Sequence, residues 1–167
     1  MYPDGLMRVS LQLGSWLVRL GAWLLSPGFT NRLIAAAVLV PCATLLLVAA
    51  RLEPDPAGLG THTQLRLPPC GFDAATGLPC MSCGMTTSFA HAANGDLISA
   101  FLVQPMGTLL AVITTLLVWI SGYAMIFGLS LAPVGRWLSQ TRVVVALMIF
   151  AVLAWGWTLS SAVLGVS

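Results

Sequence analysis

The chain has 167 residues, of which 58% are hydrophobic and 7% charged, against roughly 25% charged in an ordinary soluble domain. So apolar a composition excludes a soluble globular enzyme, and the length provides one membrane domain, residues 1–167, with no room for a separate soluble one. All seven basic residues are arginines and the net charge of +2 is scattered along the chain, which excludes a nucleic-acid surface.

Over residues 6–25, Leu6, Val9, Leu13, Trp16, Leu17, Leu20 and Leu24 recur at helical spacing, while Arg8, Gln12, Ser15 and Arg19 line the opposite face. This predicts an amphipathic helix lying in the membrane interface, with Asp4 as N-cap, Trp16 and Trp23 as anchors, and Pro27 and Gly28 as the stop. A cleaved signal peptide fits less well, because Arg19 interrupts the apolar run and no small-residue cleavage site follows.

Crossing a bilayer takes about 20 apolar residues. Three stretches meet that need and predict transmembrane helices over 33–51, 106–132 and 143–165, which makes the fold class an all-α membrane protein in contact with lipid. Pro41 interrupts the first span, and the adjacent Cys42 falls near mid-bilayer, where a thiol behaves as a small apolar group. Arg8, Arg19 and Arg32 precede the first span, and Arg136 and Arg142 lie between the second and third. Arg51 and Arg66 fall on the other side, together with Glu53, Asp55, Asp73 and Asp96. Positive charge accumulates in cytoplasmic segments, so the amino terminus is expected inside a bacterial inner membrane and residues 52–105 outside.

The outer segment opens with a Pro-, Gly- and Thr-rich loop over 52–79. After Pro79 the composition predicts a short helix over 80–94, with Gly95 at its C-terminal cap and Asp96 capping a further short segment. At 1.5 Å per residue this helix cannot span the roughly 30 Å hydrocarbon core and is expected to be re-entrant or interfacial. Gln104 and Pro105 mark the bend into the second span.

The short helix carries Cys80 and Cys83 as a CxxC pair, and Cys70 precedes it. Three readings follow. In a redox reading the helix N-terminus stabilises a thiolate on Cys80, Cys83 resolves a mixed disulfide, and Cys70 passes electrons on. A quinone is the natural acceptor, although no sequence feature assigns a site for one. A metal reading needs about four ligands, which Cys70, Cys80 and Cys83 supply with either His62 or Asp73. His91 lies eight residues beyond Cys83, about 12 Å along a helix, too far to share the ion. The structural reading is a disulfide between two of the three, pinning the loop to the helix. Covalent c-type haem is excluded because Gly84 follows Cys83 where His is required. No cofactor is assignable from the sequence.

The stretches "GLPCMSCGMTTSF" and "NGDLISAFLVQP" resemble the signature of a family of small bacterial integral membrane proteins of unknown function, whose members carry a Cys, then GxPCPxCGxTR, a GD pair and a later NP. The resemblance covers about residues 68–110, and Cys70, Gly77, Pro79, Cys80, Cys83, Gly84, Thr86, Gly95, Asp96 and Pro105 fit the pattern. Met81 stands where the family has Pro, Thr87 where it has Arg, and Gln104 where it has Asn. The resemblance implies a membrane location and supplies no activity.

No acid–base constellation, phosphate loop or charge within a span points to a hydrolase, an NTPase or an ion-driven pump. The sequence therefore favours an accessory or scaffold subunit of a membrane complex, docked through Gly122, Ala124 and Gly128 with the cysteines as a structural motif. The alternative is a thiol redox or metal-handling protein using Cys70, Cys80 and Cys83.

Overall fold

The structure, a computed structural model, describes residues 26–164 together with Trp16 and Gly21. The amphipathic helix expected over 6–25 lies outside the described residues apart from those two. Among the described residues the fold is all-helical, and three helices are long and apolar enough to cross a membrane, as the sequence predicts.

The first of these, α1, runs Pro27–Ala49. Ser26 caps it by accepting from the Phe29 amide at 3.3 Å, and Pro27 occupies the first turn, where a missing N–H costs nothing. The helix therefore begins six residues ahead of the expected boundary at Leu33. Two polar residues in the first turns of α1 are satisfied by another helix. Asn31 donates to the Gly128 carbonyl at 3.1 Å and Arg32 to the Ile126 carbonyl at 3.3 Å. Both bonds cap the carboxyl end of a later span, where unpaired carbonyls favour a cation.

After α1 come a 3₁₀ turn, Thr61–Leu65, then α2, Gly71–Thr76, and α3, Met85–Ala93. Helix α4, Leu97–Val103, leads directly into α5, Pro105–Phe127. A short α6, Ala132–Leu138, joins α5 to the third long helix, α7, Thr141–Leu164.

With the amino end of α1 bonded to the carboxyl end of α5, the two long helices run antiparallel. Ala35, Ala49, Ala111, Ser121 and Ala124 are buried, and such small residues let membrane helices approach closely. Gly128 lies against Gly28 and Arg32. The stripe expected to receive an outside partner is thus largely taken up within the chain; of its members only Gly122 faces open space. Helix α7 is tied on by two tryptophans, Trp155 donating to the Pro79 carbonyl at 3.2 Å and Trp157 to that of Leu102 at 3.1 Å.

Helix α3 crosses the start of α5 at Gly107, where an added Cβ would sit 2.9 Å from the Ser88 Cβ and 3.3 Å from the Met85 Cα. Neither neighbour can swing away, because both atoms belong to or adjoin the backbone. Gly107→Ala is therefore expected to lose about 1–3 kcal/mol despite the better helix propensity of alanine, read as a lower Tm in detergent. At Gly122 nothing lies within 4 Å, and Gly122→Ala should shift stability the other way, by up to about 1 kcal/mol.

Candidate three-thiol site

The short helix does not begin at Cys80. It begins at Met85, behind Gly84, whose φ of +82° is left-handed. A side chain there would be strained, and its Cβ would meet the Gly58 carbonyl oxygen at 3.3 Å and the Val103 Cγ1 at 3.2 Å. The left-handed glycine cuts the helix back. Cys80–Cys83 instead form a turn, with the Cys83 amide bonded to the Cys80 carbonyl at 3.1 Å and the Met85 amide to that of Ser82 at 3.1 Å.

This turn points Cys80 and Cys83 toward Cys70, the N-cap residue of α2. The Cys80 Sγ lies 3.2 Å from the Cys83 Sγ and 3.5 Å from the Cys70 Sγ, and all three sulfurs fall within 4.8 Å of one another. A disulfide requires about 2.05 Å. The three are thus free thiols, as is Cys42 in α1, and the expected staple between two of them is not formed.

Neither His62 nor Asp73 joins the cluster, so among the described residues the expected fourth metal ligand is missing. His91, on α3, pairs instead with Asp96 at 3.5 Å. Asp96 caps α4 by accepting from the Ser99 amide at 3.0 Å, and its hydrogen bonds with Ser99 hold its carboxyl below the ordinary value.

Electrostatics divide the sulfurs. Burial works against ionising Cys80, but hydrogen bonds from the Ser82 hydroxyl, the Cys83 thiol, the Ser82 amide and the Cys70 thiol outweigh it and bring its pKa down from 9.0 to about 6. Cys83 is pushed up to about 12, first by burial and then because its proton serves the neighbouring Cys80 sulfur. One thiolate held by two thiols is the resulting arrangement, with Cys80 as the charged member.

Two buried polar residues hold the surroundings of this turn together: Gln104, expected only as part of a bend, and Ser88, for which the sequence suggests no role. Gln104 is 1% exposed. Its Nε2 donates to the Met81 carbonyl at 3.0 Å, and its Oε1 accepts from the amides of Met106 at 2.8 Å and Gly107 at 3.1 Å. One side chain thereby caps α5 and anchors the cysteine turn. Ser88, also buried, lies 2.9 Å from the Ala100 carbonyl and 2.9 Å from the Thr108 hydroxyl, joining α3 to α4 and α5. For Gln104 the available signal was a polar residue closing an apolar run, which is costly unless bonded.

Thr87, where the resembling family has Arg, is buried and shares a 2.8 Å hydrogen bond with Thr61, whose hydroxyl accepts from the Asp55 amide. It fastens the loop over α3. Beside the thiols a cavity of about 1060 Å³ extends between α1, α3 and α5, with Cys70, Cys80 and Cys83 at one end and Val40, Leu45 and Leu110 along its walls. A second cavity of about 500 Å³, lined in part by Asp55 and His91, lies between the loop, α4 and α7.

Residues 70–119 match the model of a family described as protein of unknown function (DUF2752). The match opens at the first cysteine of the cluster and ends within α5. Neither the curated proteins nor the solved structures include a match to the chain.

Proposed function

We propose that this small membrane protein is a thiol–disulfide exchange protein whose nucleophile is Cys80. The observation that carries the reading is the contact of one sulfur with two others, 3.2 Å to Cys83 and 3.5 Å to Cys70, all unbonded. Its thiolate, formed from about pH 6, supplies the attacking species at neutral pH. Attack on an incoming disulfide forms a mixed disulfide at Cys80 and releases one thiolate. Cys83 then attacks the Cys80 sulfur, closing Cys80–Cys83 and releasing the second thiol, while Cys70 offers a further exchange partner. In the opposite direction the same steps oxidise a client dithiol.

The placement of charge supports an orientation for this chemistry. Arg32 stands at the end of the α1–α5 pair remote from the cysteines, and Arg136 and Arg142 follow α5 at that same end, while Arg51 and Arg66 on the cysteine side are outnumbered by Glu53, Asp55, Asp73 and Asp96. By the rule that positive charge stays inside, this end faces the cytoplasm of a bacterial inner membrane and the thiols face an oxidising compartment. Structural and accessory roles have less support, since the staple is absent and Ala124 and Gly128 serve packing within the chain.

Mass-tagged alkylation of membranes is the test. Cys80 and Cys83 should move together from two free thiols to none when an oxidant replaces a reductant, and to return on reversal. A single unchanging state would sink the proposal. One observation favours a second reading: three sulfurs within 4.8 Å suit a soft metal ion with one position open. In that case the ion should survive purification of the wild type and be absent from Cys70→Ser.

A further inference from the structure

We infer that the cavity beside the thiols binds a quinone-class, lipid-soluble electron acceptor, and that this acceptor takes two electrons from Cys80 and Cys83. The inference rests on the thiol-exchange reading and names what reoxidises the pair.

The first argument is the shape of the site. The cavity follows α1 from Val40 to Ala49, about 14 Å at 1.5 Å per residue, from near the middle of a span to the level of the sulfurs. Its volume of about 1060 Å³ is at the upper end for small-molecule sites, large enough for a ring carrying an isoprenoid tail. Val40 and Leu45, which line it, are 63% and 47% exposed on a membrane-spanning helix, so the wall borders lipid and a ligand enters from the bilayer.

The second argument is the distribution of polarity. Cys70, Cys80 and Cys83 meet at one place in the lining, His62 and Thr86 also line the cavity, and the wall along α1 is mainly aliphatic apart from Thr44. His62 and Thr86 make no side-chain hydrogen bond with the described residues, which leaves donors available for ring oxygens. A phospholipid or fatty acid would fill the apolar part equally well. Neither would use redox-capable sulfurs in its wall, whereas a quinone matches both ends.

The step balances. The Cys80 thiolate adds to a ring carbon, forming a sulfur–carbon bond, and the ring oxygens take up the Cys83 proton. The Cys83 sulfur attacks the Cys80 sulfur, the sulfur–sulfur bond forms and the sulfur–carbon bond breaks, with its electron pair leaving on the ring. A proton from water completes the hydroquinone. One thiolate, one thiol, one quinone and one proton become a disulfide and a hydroquinone, with two electrons moved from sulfur to ring.

The test uses the full chain, reduced and placed in lipid nanodiscs, with decylubiquinone as the probe. Disulfide formation is followed by mass-tagged alkylation and quinone reduction by its ultraviolet absorbance. Wild type should form Cys80–Cys83 while consuming one quinone per disulfide. Leu45→Trp, which fills the groove away from the sulfurs, should slow quinone-driven oxidation about tenfold or more and leave oxidation by glutathione disulfide unchanged. Val40→Trp provides the same measurement should Leu45→Trp misfold, and Val152→Trp on the lipid-exposed face of α7 should change neither rate. A wild type oxidised by glutathione disulfide and untouched by the quinone would overturn the inference and leave the exchange reading standing. Quinone oxidation of Leu45→Trp and Val40→Trp at the wild-type rate would also overturn it. Inertness toward both oxidants would remove the exchange reading itself.

Discussion

Gln104→Leu is expected to destabilise the protein by about 2–4 kcal/mol and to release the cysteine turn from the end of α5. Leucine fills much of the same volume, so the cost is chiefly polar. The Gly107 amide, buried at the contact with Ser88, loses its partner outright, while the part-buried Met106 amide and Met81 carbonyl can recover some hydration. Gln104→Asn separates the two jobs of the side chain. Asparagine is a strong N-cap and should keep the α5 amides satisfied, but it is one methylene shorter and should not reach the Met81 carbonyl. Its expected result is a nearly wild-type Tm with faster alkylation of Cys83 at alkaline pH, whereas Gln104→Leu should change both. Equal alkylation rates in all three proteins would show that the turn holds its shape without this bond.

The helical membrane architecture was legible because long uncharged stretches have few other solutions in lipid. The ends of the helices were less so. Arg32 looked like a boundary in one dimension and became an interior residue because a carbonyl-rich helix end lay beside it. Pro79 serves as a start signal for the predicted helix over 80–94, yet Gly84 adopts a left-handed φ, where an added Cβ would meet Gly58 and Val103, and a helix cannot run through it whatever the surrounding periodicity. A helix over these residues would have put Cys80 and Cys83 one turn apart on a polar face. The turn instead brings both to Cys70.

Spacing alone identified the three cysteines but could not reveal that they meet, because Cys70 reaches the pair through a loop that is fastened by Thr61 and Thr87. Thr87 is informative for the same reason. A departure from the resembling family that looked like a lost charge is, in this chain, half of a buried hydrogen bond. Gln104 likewise does at the head of α5 what its position before a proline requires, with an added reach back to the turn.

The largest chemical effect is expected in the pH dependence of Cys80, and its form is more telling than its size. At pH 6 a thiol with a pKa of about 6 is roughly half ionised, against about 0.1% for an ordinary thiol at 9.0, a gain of about 500-fold. Lower basicity also weakens the nucleophile. With a Brønsted slope of about 0.4–0.5, three units cost roughly 15–30-fold. The balance leaves Cys80 about 20-fold faster than an ordinary thiol at pH 6, only about 4-fold faster at pH 7, and about 10-fold slower at pH 9. Iodoacetamide labelling resolved by mass spectrometry should therefore show Cys80 levelling off above pH 7 while a reference peptide thiol continues to climb and overtakes it. Cys83, raised to about 12, should label only under strongly alkaline conditions. Cys80→Ser should abolish the early phase and lower the Cys83 midpoint part of the way, because burial, its first cause, persists. Stability should carry the same signature. The depressed Cys80 pKa contributes stability that is complete above pH 9 and lost as pH falls toward 6, while the raised Cys83 pKa contributes stability below pH 9 that is lost as pH rises toward 12. The contribution of the cluster thus peaks near pH 9, and Cys80→Ser should remove the rise between pH 6 and 9 from a Tm profile in detergent. A Cys80 that labels with an ordinary midpoint, beside a flat Tm profile, would mean that the three sulfurs are neighbours without sharing a proton.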